Sequence, residues 1–264
     1  MYLLFYDNKY TSKIVESLLF CLIHNNKKCN LVFEIDLSDE VNTYIVFDVN
    51  KINKLPKKFI IYNFEQLTTD RLWDNSFFEK CNKAKVIFDY SLENIKQFKN
   101  KNLIAHHLPF GWSPILEPEY DINIKDKDVD LIFLGNYNVR RNKILDKFSN
   151  IYKNNKCFNQ DYEEITKKTK FSLNIHYYEG NTILEVVRII PLVCRGVIVI
   201  SEKSNDKYYD DIFNDICIFT DFNNIENINN IIKNYDINKC FLNKQKLINR
   251  LNFINFVSEK INLF

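Results

Sequence analysis

Residues 171–202 read FSLNIHYYEGNTILEVVRIIPLVCRGVIVISE. An apolar run, a polar loop, a longer apolar run and the tetrad VIVI follow one another. The order is strand, loop, buried helix, turn and strand, the alternation of a parallel sheet covered by helices. The chain has 4 glycines in 264 residues, against about 18 at an average usage of about 7%. Two of them, Gly180 and Gly196, bracket the helix predicted over 182–194. A glycine kept where glycine is scarce marks a backbone that needs positive φ or close approach. The polar residues of the strand-to-helix loop lie where an α/β sheet receives its ligand.

The same alternation extends in both directions. Strands are predicted at 3–6, 31–35, 44–47, 59–62, 86–89 and 103–108. Helices are predicted at 12–23 and 70–83, and another opens at Ser91 with Glu93 in its first turn. The stretch 113–130 is rich in Asp–Lys alternation and lacks apolar period, so it reads as a linker. Beyond it come strand 129–134, helix 139–152, helix 161–168, strand 171–175, helix 182–194 and strand 197–200. Strand 216–219, helix 225–235 and a largely helical stretch from 242 follow. The expected fold class is α/β, two Rossmann-like domains with parallel sheets and an interdomain cleft. The expected domains are 1–114 and 129–264, joined by linker 115–128, with the last helix packing back on the first domain.

Composition narrows the function. The net charge of +2 gives no basis for a nucleic-acid partner, which calls for a strongly basic face. Seven scattered cysteines without a CxxC pair read as reduced thiols and not as a zinc site or disulfide framework. Asp126-Lys127-Asp128 has the letters of a DxD metal motif but follows no strand, and no metal is expected. MYLLFYDNKYTSK lacks a basic leader, and no apolar run approaches the roughly 20 residues of a membrane span. A cytoplasmic location is the expectation.

Three constellations carry chemistry. The first is Asn174, His176, Tyr177, Glu179, Gly180, Asn181, Thr182, Glu185 and Arg188. A helix N-terminus there would offer free N–H groups to a phosphate. Glu185 would meet a ribose or sugar hydroxyl pair, Arg188 an anion or Glu185 itself, and His176 an anion. A structural alternative stands beside this one, because Thr182-x-x-Glu185 fits a capping box. The second is Gly135, Asn136, Arg140 and Arg141, a strand end followed by a helix opening with two arginines. Cations are disfavoured at a helix N-terminus, so an anion nearby would explain them, with arginine as a bidentate clamp. Neither GxGxxG nor GxxxxGK[ST] occurs. The third set is Asn63, Glu65 and Gln66, with His106, His107 and Gly111, at predicted strand ends. Glu65 or His107 is a candidate base there.

EGNTILEVVRIIPLVCRGVIVISE resembles the donor-binding domain of the GT-B glycosyltransferases. Glu179–Gly180 matches their opening motif, Glu185 the helix glutamate, and Gly196 with Val197, Ile198 and Val199 the closing turn and strand. IIYNFEQL, LPFGWSP, LIFLGNYNVRR and LNIHYYEG resemble more closely the small spore-maturation-type glycosyltransferase-like proteins of bacteria and large viruses. The two glutamates stand closer together here than in the large retaining group. The resemblance implies transfer of a sugar from a nucleotide-diphosphate sugar to a glycan or other hydroxyl acceptor. No cofactor or metal is then expected beyond that co-substrate, and the outcome leans to retention. Arg140 and Arg141 would neutralise the diphosphate, and His176 and Glu179 would face the transferred sugar. A catalytically silent glycan- or nucleotide-binding module of the same fold is the alternative. Peripheral membrane contact through the Phe- and Lys-rich C-terminal helices is compatible with either.

Overall fold

The computed structural model describes residues 1–5, 12–67, 75–155, 157, 159–180 and 182–264. Contacts divide it into two compact units, Met1–Ile115 with Leu251–Phe264, and Leu116–Arg250.

The first unit begins with β1 (Tyr2–Phe5), α1 (Ser12–His24), β2 (Cys29–Val32), β3 (Thr43–Val46) and β4 (Phe59–Asn63). It continues with α2 (Asn75–Asn82), β5 (Val86–Asp89), α3 (Leu92–Asn100) and β6 (His106–His107). The sheet order is β2-β1-β3-β4-β5-β6, and every pairing is parallel. All five residues of β4 are buried, as a strand covered on both faces requires. Ser91 caps α3 by accepting from the Glu93 amide. The helix expected over 70–83 is seen from Asn75, and 70–74 lie outside the described residues. The strand expected over 103–108 is confined to the two residues that pair with Phe88 and Asp89. The strand expected at 31–35 instead starts at Cys29, where pairing with Tyr2 fixes its register.

The second unit runs β7 (Val129–Leu134), α4 (Val139–Leu145), β8 (Tyr152–Asn154), α5 (Asn159–Lys168), β9 (Thr169–Asn174) and α6 (Val186–Cys194). It closes with β10 (Ile198–Ser201), α7 (Lys207–Phe213), β11 (Ile218–Phe219), α8 (Ile225–Asn234) and α9 (Lys239–Arg250). Its parallel sheet has the order β11-β10-β9-β7-β8. The direction of winding reverses between β7 and β9, the place where open α/β sheets bind ligands. Core residues Leu131, Phe133, Phe171, Leu173, Ile198 and Ile200 come from the three central strands.

Two expectations about this unit are corrected. The helix expected over 139–152 ends at Leu145, and Tyr152–Asn154 pairs with β7 as an edge strand. The helix expected from Thr182 starts four residues later, at Val186. Thr182 is tied instead to a neighbouring loop: its amide donates to Asn205 Oδ1 at 3.1 Å, and the Asn205 amide donates to its carbonyl at 2.9 Å. Ile183 and Leu184 are buried in non-helical backbone. The charged stretch before β7 packs on this unit. Lys127 is buried and donates to the carbonyls of Thr166, Thr169 and Arg195 at 3.4, 2.7 and 3.3 Å.

Helix α10 (Phe253–Glu259) returns to the first unit. Trp112 N donates to the Leu251 carbonyl at 2.6 Å and Phe253 N to the Trp112 carbonyl at 2.8 Å. The neighbouring Gly111 has no room for a side chain, since a Cβ there would overlap the Leu251 carbonyl. Among the described residues no helix is long and apolar enough to cross a membrane.

Candidate functional site

A cavity of about 630 Å³ opens at the carboxyl edge of the second sheet. Four strand ends feed it. After β7, helix α4 supplies Arg140 and Lys143, with Lys147 just beyond its end; after β9 come His176, Tyr178, Glu179, Gly180 and Thr182; after β10 come Glu202, Lys203 and Asn205; after β11 come Asp221, Phe222 and Asn223. Arg140, Lys143 and Lys147 follow helical spacing and lie on one face. Lys143, Lys147 and Lys203 are solvent-exposed and hydrogen-bond to no carboxylate among the described residues. Gly180 adopts φ +81°, a conformation that glycine takes without Cβ strain.

Arg140 is fixed from two sides. Its Nη1 donates to the His176 carbonyl at 2.8 Å, and its Nη2 pairs with Glu202. The exposed Glu179 carboxylate lies 4.0 Å from its Nε. Glu202 uses its other oxygen to accept the His176 amide at 2.8 Å. One carboxylate thus fastens the loop after β9 to the first turn of α4.

Arg141, expected as a diphosphate clamp, has an environment of its own. It is 1% exposed, and its guanidinium serves backbone carbonyls: Ile175 from Nε and Nη2 at 3.0 and 2.6 Å, and Asn136 from Nη1 at 2.8 Å. Its plane lies 5.1 Å from the Tyr177 ring and 5.3 Å from Phe133. Burial, with Arg188 and Arg140 nearby, outweighs the Glu185 carboxylate and pushes its pKa down to about 9. Asn138 caps α4, accepting the Arg141 amide at 2.8 Å and donating to the Tyr177 carbonyl at 2.5 Å.

Glu185 sits beneath this floor. It precedes α6 and makes no side-chain cap, so the capping-box alternative does not hold. Its Oε2 accepts from His176 Nδ1 at 2.7 Å and Asn174 Nδ2 at 3.1 Å. Its Oε1 accepts the Tyr177 amide at 3.3 Å, with Arg141 Nη2 at 3.7 Å. Burial alone would raise its pKa; the imidazole and the two guanidiniums reverse this and hold it at about 2. Arg188 donates to Asn174 Oδ1 at 2.9 Å and lies against Gly135, where a Cβ would approach it to 3.2 Å. Burial lowers the Arg188 pKa against the pull of Glu185.

The structure therefore joins Gly135, Asn136, Arg140, Arg141, Asn174, His176, Tyr177, Glu179, Gly180, Thr182, Glu185 and Arg188 at one sheet edge. They form two layers. Arg140, His176, Glu179, Gly180 and Thr182 line the cavity, and Arg141, Asn174, Glu185 and Arg188 form a hydrogen-bonded support. Asn181 lies outside the described residues. Lys143, Lys147, Lys203, Glu202 and Asn205 are site residues that sequence reasoning missed. The spacing of Arg140, Lys143 and Lys147 was the one available signal.

Glu65 and His107 belong to the first unit, after β4 and in β6. The Glu65 carbonyl accepts from Asn63 and Asn94 at 3.0 and 2.7 Å, and both amides also reach the buried Asp89. His107 Nε2 faces the Tyr90 carbonyl at 3.1 Å. Burial drives the His107 pKa down to about 4, which leaves it neutral at pH 7. Among the described residues no group of three His, Cys, Asp or Glu side chains is placed to hold a metal.

No family model matches the chain. Two uncharacterized proteins of Acanthamoeba polyphaga mimivirus are similar to it. One is 31% identical over 191 residues, 68% of this chain and 64% of the relative; the other is 31% identical over 176 residues, 62% of this chain and 23% of the relative. The match thus spans less than two thirds of either relative. Solved structures share the fold over nearly the full chain. An α-glucosyltransferase in complex with UDP and a 13-mer DNA containing an HMU base has TM-score 0.66 at 11% identity, covering 99% of this chain and 98% of that one. Anabaena HepE with UDP and glucose has 0.61 at 8%, with 99% and 98% covered. WaaG, a glycosyltransferase involved in lipopolysaccharide biosynthesis, has 0.60 at 8%, with 99% and 98% covered. The fold is that of the GT-B glycosyltransferases, α/β with two Rossmann-like parallel sheets.

Proposed function

We propose that the chain is a glycosyltransferase whose second unit holds a nucleotide-diphosphate sugar. The observation that carries this reading is the cavity at the β7/β9 reversal, lined by Arg140, Lys143, Lys147 and Lys203. Sugar transfer breaks the bond between the anomeric carbon and the diphosphate oxygen, and the departing nucleotide gains negative charge. Fixed cations aimed at that oxygen are the largest catalytic contribution such a site can make. Arg140 is fixed by Glu202 and the His176 carbonyl, and the three lysines supply mobile charge. These groups take the place of a metal. Glu179, Thr182 and Asn205 meet hydroxyl or base edges of the donor. Arg141, Glu185 and Arg188 act from beneath, by holding the loops.

The acceptor is a glycan or other hydroxyl compound, handled by the first unit with Glu65 or neutral His107 taking its proton. Retention of anomeric configuration and membership of the spore-maturation-type group remain part of the reading, supported by the sequence resemblance. So do a cytoplasmic location, within the host if the chain is viral, and peripheral membrane contact.

The test is thermal shift with UDP, GDP, CMP, dTDP and ADP, followed by donor hydrolysis and transfer assays. A nucleotide present at 100 times its Kd adds about 2.7 kcal/mol to stability. One nucleotide diphosphate should raise Tm in the wild type and much less in Lys143→Ala/Lys147→Ala. No shift with any of them defeats the reading. Binding without donor turnover moves it to the silent binding module.

A further inference from the structure

The His176 ring is bonded at both ends. Nδ1 lies 2.7 Å from Oε2 of Glu185, and Nε2 lies 3.0 Å from the carbonyl oxygen of Lys203. A carbonyl oxygen only accepts, so Nε2 carries a proton. Glu185 is an ionised carboxylate, since Arg141 Nη2 stands 3.7 Å from one of its oxygens and Asn174 Nδ2 donates to the other. An ionised carboxylate also only accepts, so Nδ1 carries a proton as well. The side chain is 4% exposed and has no lone pair left with which to act as a base.

We infer that His176 is a positioning residue, a buried imidazolium whose two N–H groups fasten the loop after β9 to the Glu185 carboxylate and to the Lys203 carbonyl and so set the cavity wall. This rests on the donor-site reading for its functional consequence, though not for its chemistry. The pin acts where the site is assembled from separate segments. His176 N and the His176 carbonyl hold Glu202 and Arg140. The ring holds the backbone of Lys203, a residue that lines the cavity. Loss of the ring proton would leave a lone pair facing either a carboxylate or a carbonyl, and one of the two ties would break.

The charged groups around the ring come from every packed element. Glu185 and Arg188 lie at the start of α6, Arg140 and Arg141 on α4, Tyr177 in the same loop, Glu202 and Lys203 after β10, and Asp210 on α7. Burial favours the neutral ring, and the carboxylates of Glu185 and Glu202 outweigh it, so its pKa lies above the ordinary histidine value.

The direct test is a ¹⁵N NMR titration of the histidine rings in the full chain. His176 is assigned as the resonance missing from His176→Gln, or by its protection from exchange in the wild type if that variant does not fold. The inference expects both ring nitrogens in imidazolium form at pH 7, with His107 neutral at the same pH. A neutral His176 ring at pH 7 overturns it. The second arm is UDP-glucose binding by calorimetry from pH 6 to 9, because the esterified diphosphate does not titrate there. His176→Gln should weaken binding about tenfold at pH 6, the loss of one charge-assisted tie. Wild-type affinity should fall as pH rises past the ordinary histidine range, while the variant stays flat. Equal pH profiles, or wild-type affinity in the variant, overturn the positioning role. If UDP-glucose binds neither protein, the same calorimetry is run with the sugar ester of whichever nucleotide diphosphate raised Tm; if none did, the donor reading fails, and the NMR result still decides the charge state.

Discussion

Arg141 gives two guanidinium nitrogens to one carbonyl, that of Ile175, from Nε at 3.0 Å and Nη2 at 2.6 Å. The residue before it, Arg140, faces the cavity and pairs with Glu202. Two adjacent arginines thus have separate duties. Arg141→Ala would strand the Ile175 and Asn136 carbonyls and remove one cation from Glu185. Removing one partner of such a buried charged network typically destabilises by about 3–5 kcal/mol. Arg140→Ala should cost less stability than that, because its pair with Glu202 is partly exposed, while lowering nucleotide affinity. Urea unfolding and calorimetry on both variants separate the roles. Equal stability losses would contradict the division.

Glu185 makes acid a specific stress on the second unit. Its pKa is held at about 2 in the folded chain, against about 4.3 when unfolded. The folded value is the lower one, so its contribution is complete above the unfolded pKa and is lost as pH falls through that window toward 2. The size is on the order of 3 kcal/mol. His176 works from the other side: its raised pKa gives stability that is complete below about 6.5 and lost as pH rises through the folded value. Glu185→Gln should flatten both limbs of the stability–pH curve measured by denaturant titration. An unchanged curve would show that the pair carries no differential charge energy.

Much of this architecture was legible in the sequence, because buried parallel strands such as Ile198–Ser201 announce themselves as short apolar runs. What escaped has physical causes. Ile183 and Leu184 carry helical periodicity, but the reciprocal bonds between Thr182 and Asn205 hold them out of the helix. Those bonds join residues far apart in sequence. Arg141 reads as polar until its guanidinium is seen against the rings of Phe133 and Tyr177. Helix α7, KYYDDIF, gave no signal because it is short and polar at its start. Lys203 follows the strand that the motif ends on, and only the sheet order brings it to the cavity that Lys143 also lines.

Two glycines have different reasons to resist a side chain. Gly196 adopts φ +67°, and a Cβ there would stand 2.8 Å from Ile122 Cγ2. Gly196→Ala combines left-handed strain of about 1–2 kcal/mol with a contact that a side chain can relieve by moving. Gly111→Ala meets the backbone carbonyl of Leu251, part of the tie that holds α10. The second substitution should therefore be the more damaging. Thermal unfolding should rank the wild type above Gly196→Ala and Gly196→Ala above Gly111→Ala. The reverse order would mean that the 111–112 to 251–253 tie is easily displaced.

The three lysines test the electrostatics without disturbing the fold. Lys143, Lys147 and Lys203 are exposed, so Lys→Gln at each should alter stability by no more than about 0.5 kcal/mol. If they face a diphosphate, each substitution should weaken nucleotide binding several-fold, and the effect should shrink with added salt as solvent ions screen the pairs. Arg140→Gln should behave differently, because Glu202 and the His176 carbonyl fix that guanidinium and its effect should persist at high salt. Calorimetry of the four variants at about 0.05 and 0.5 M salt gives both readings. Undiminished affinity in the triple lysine variant would remove the lysines from the site and leave Arg140 as its anion contact.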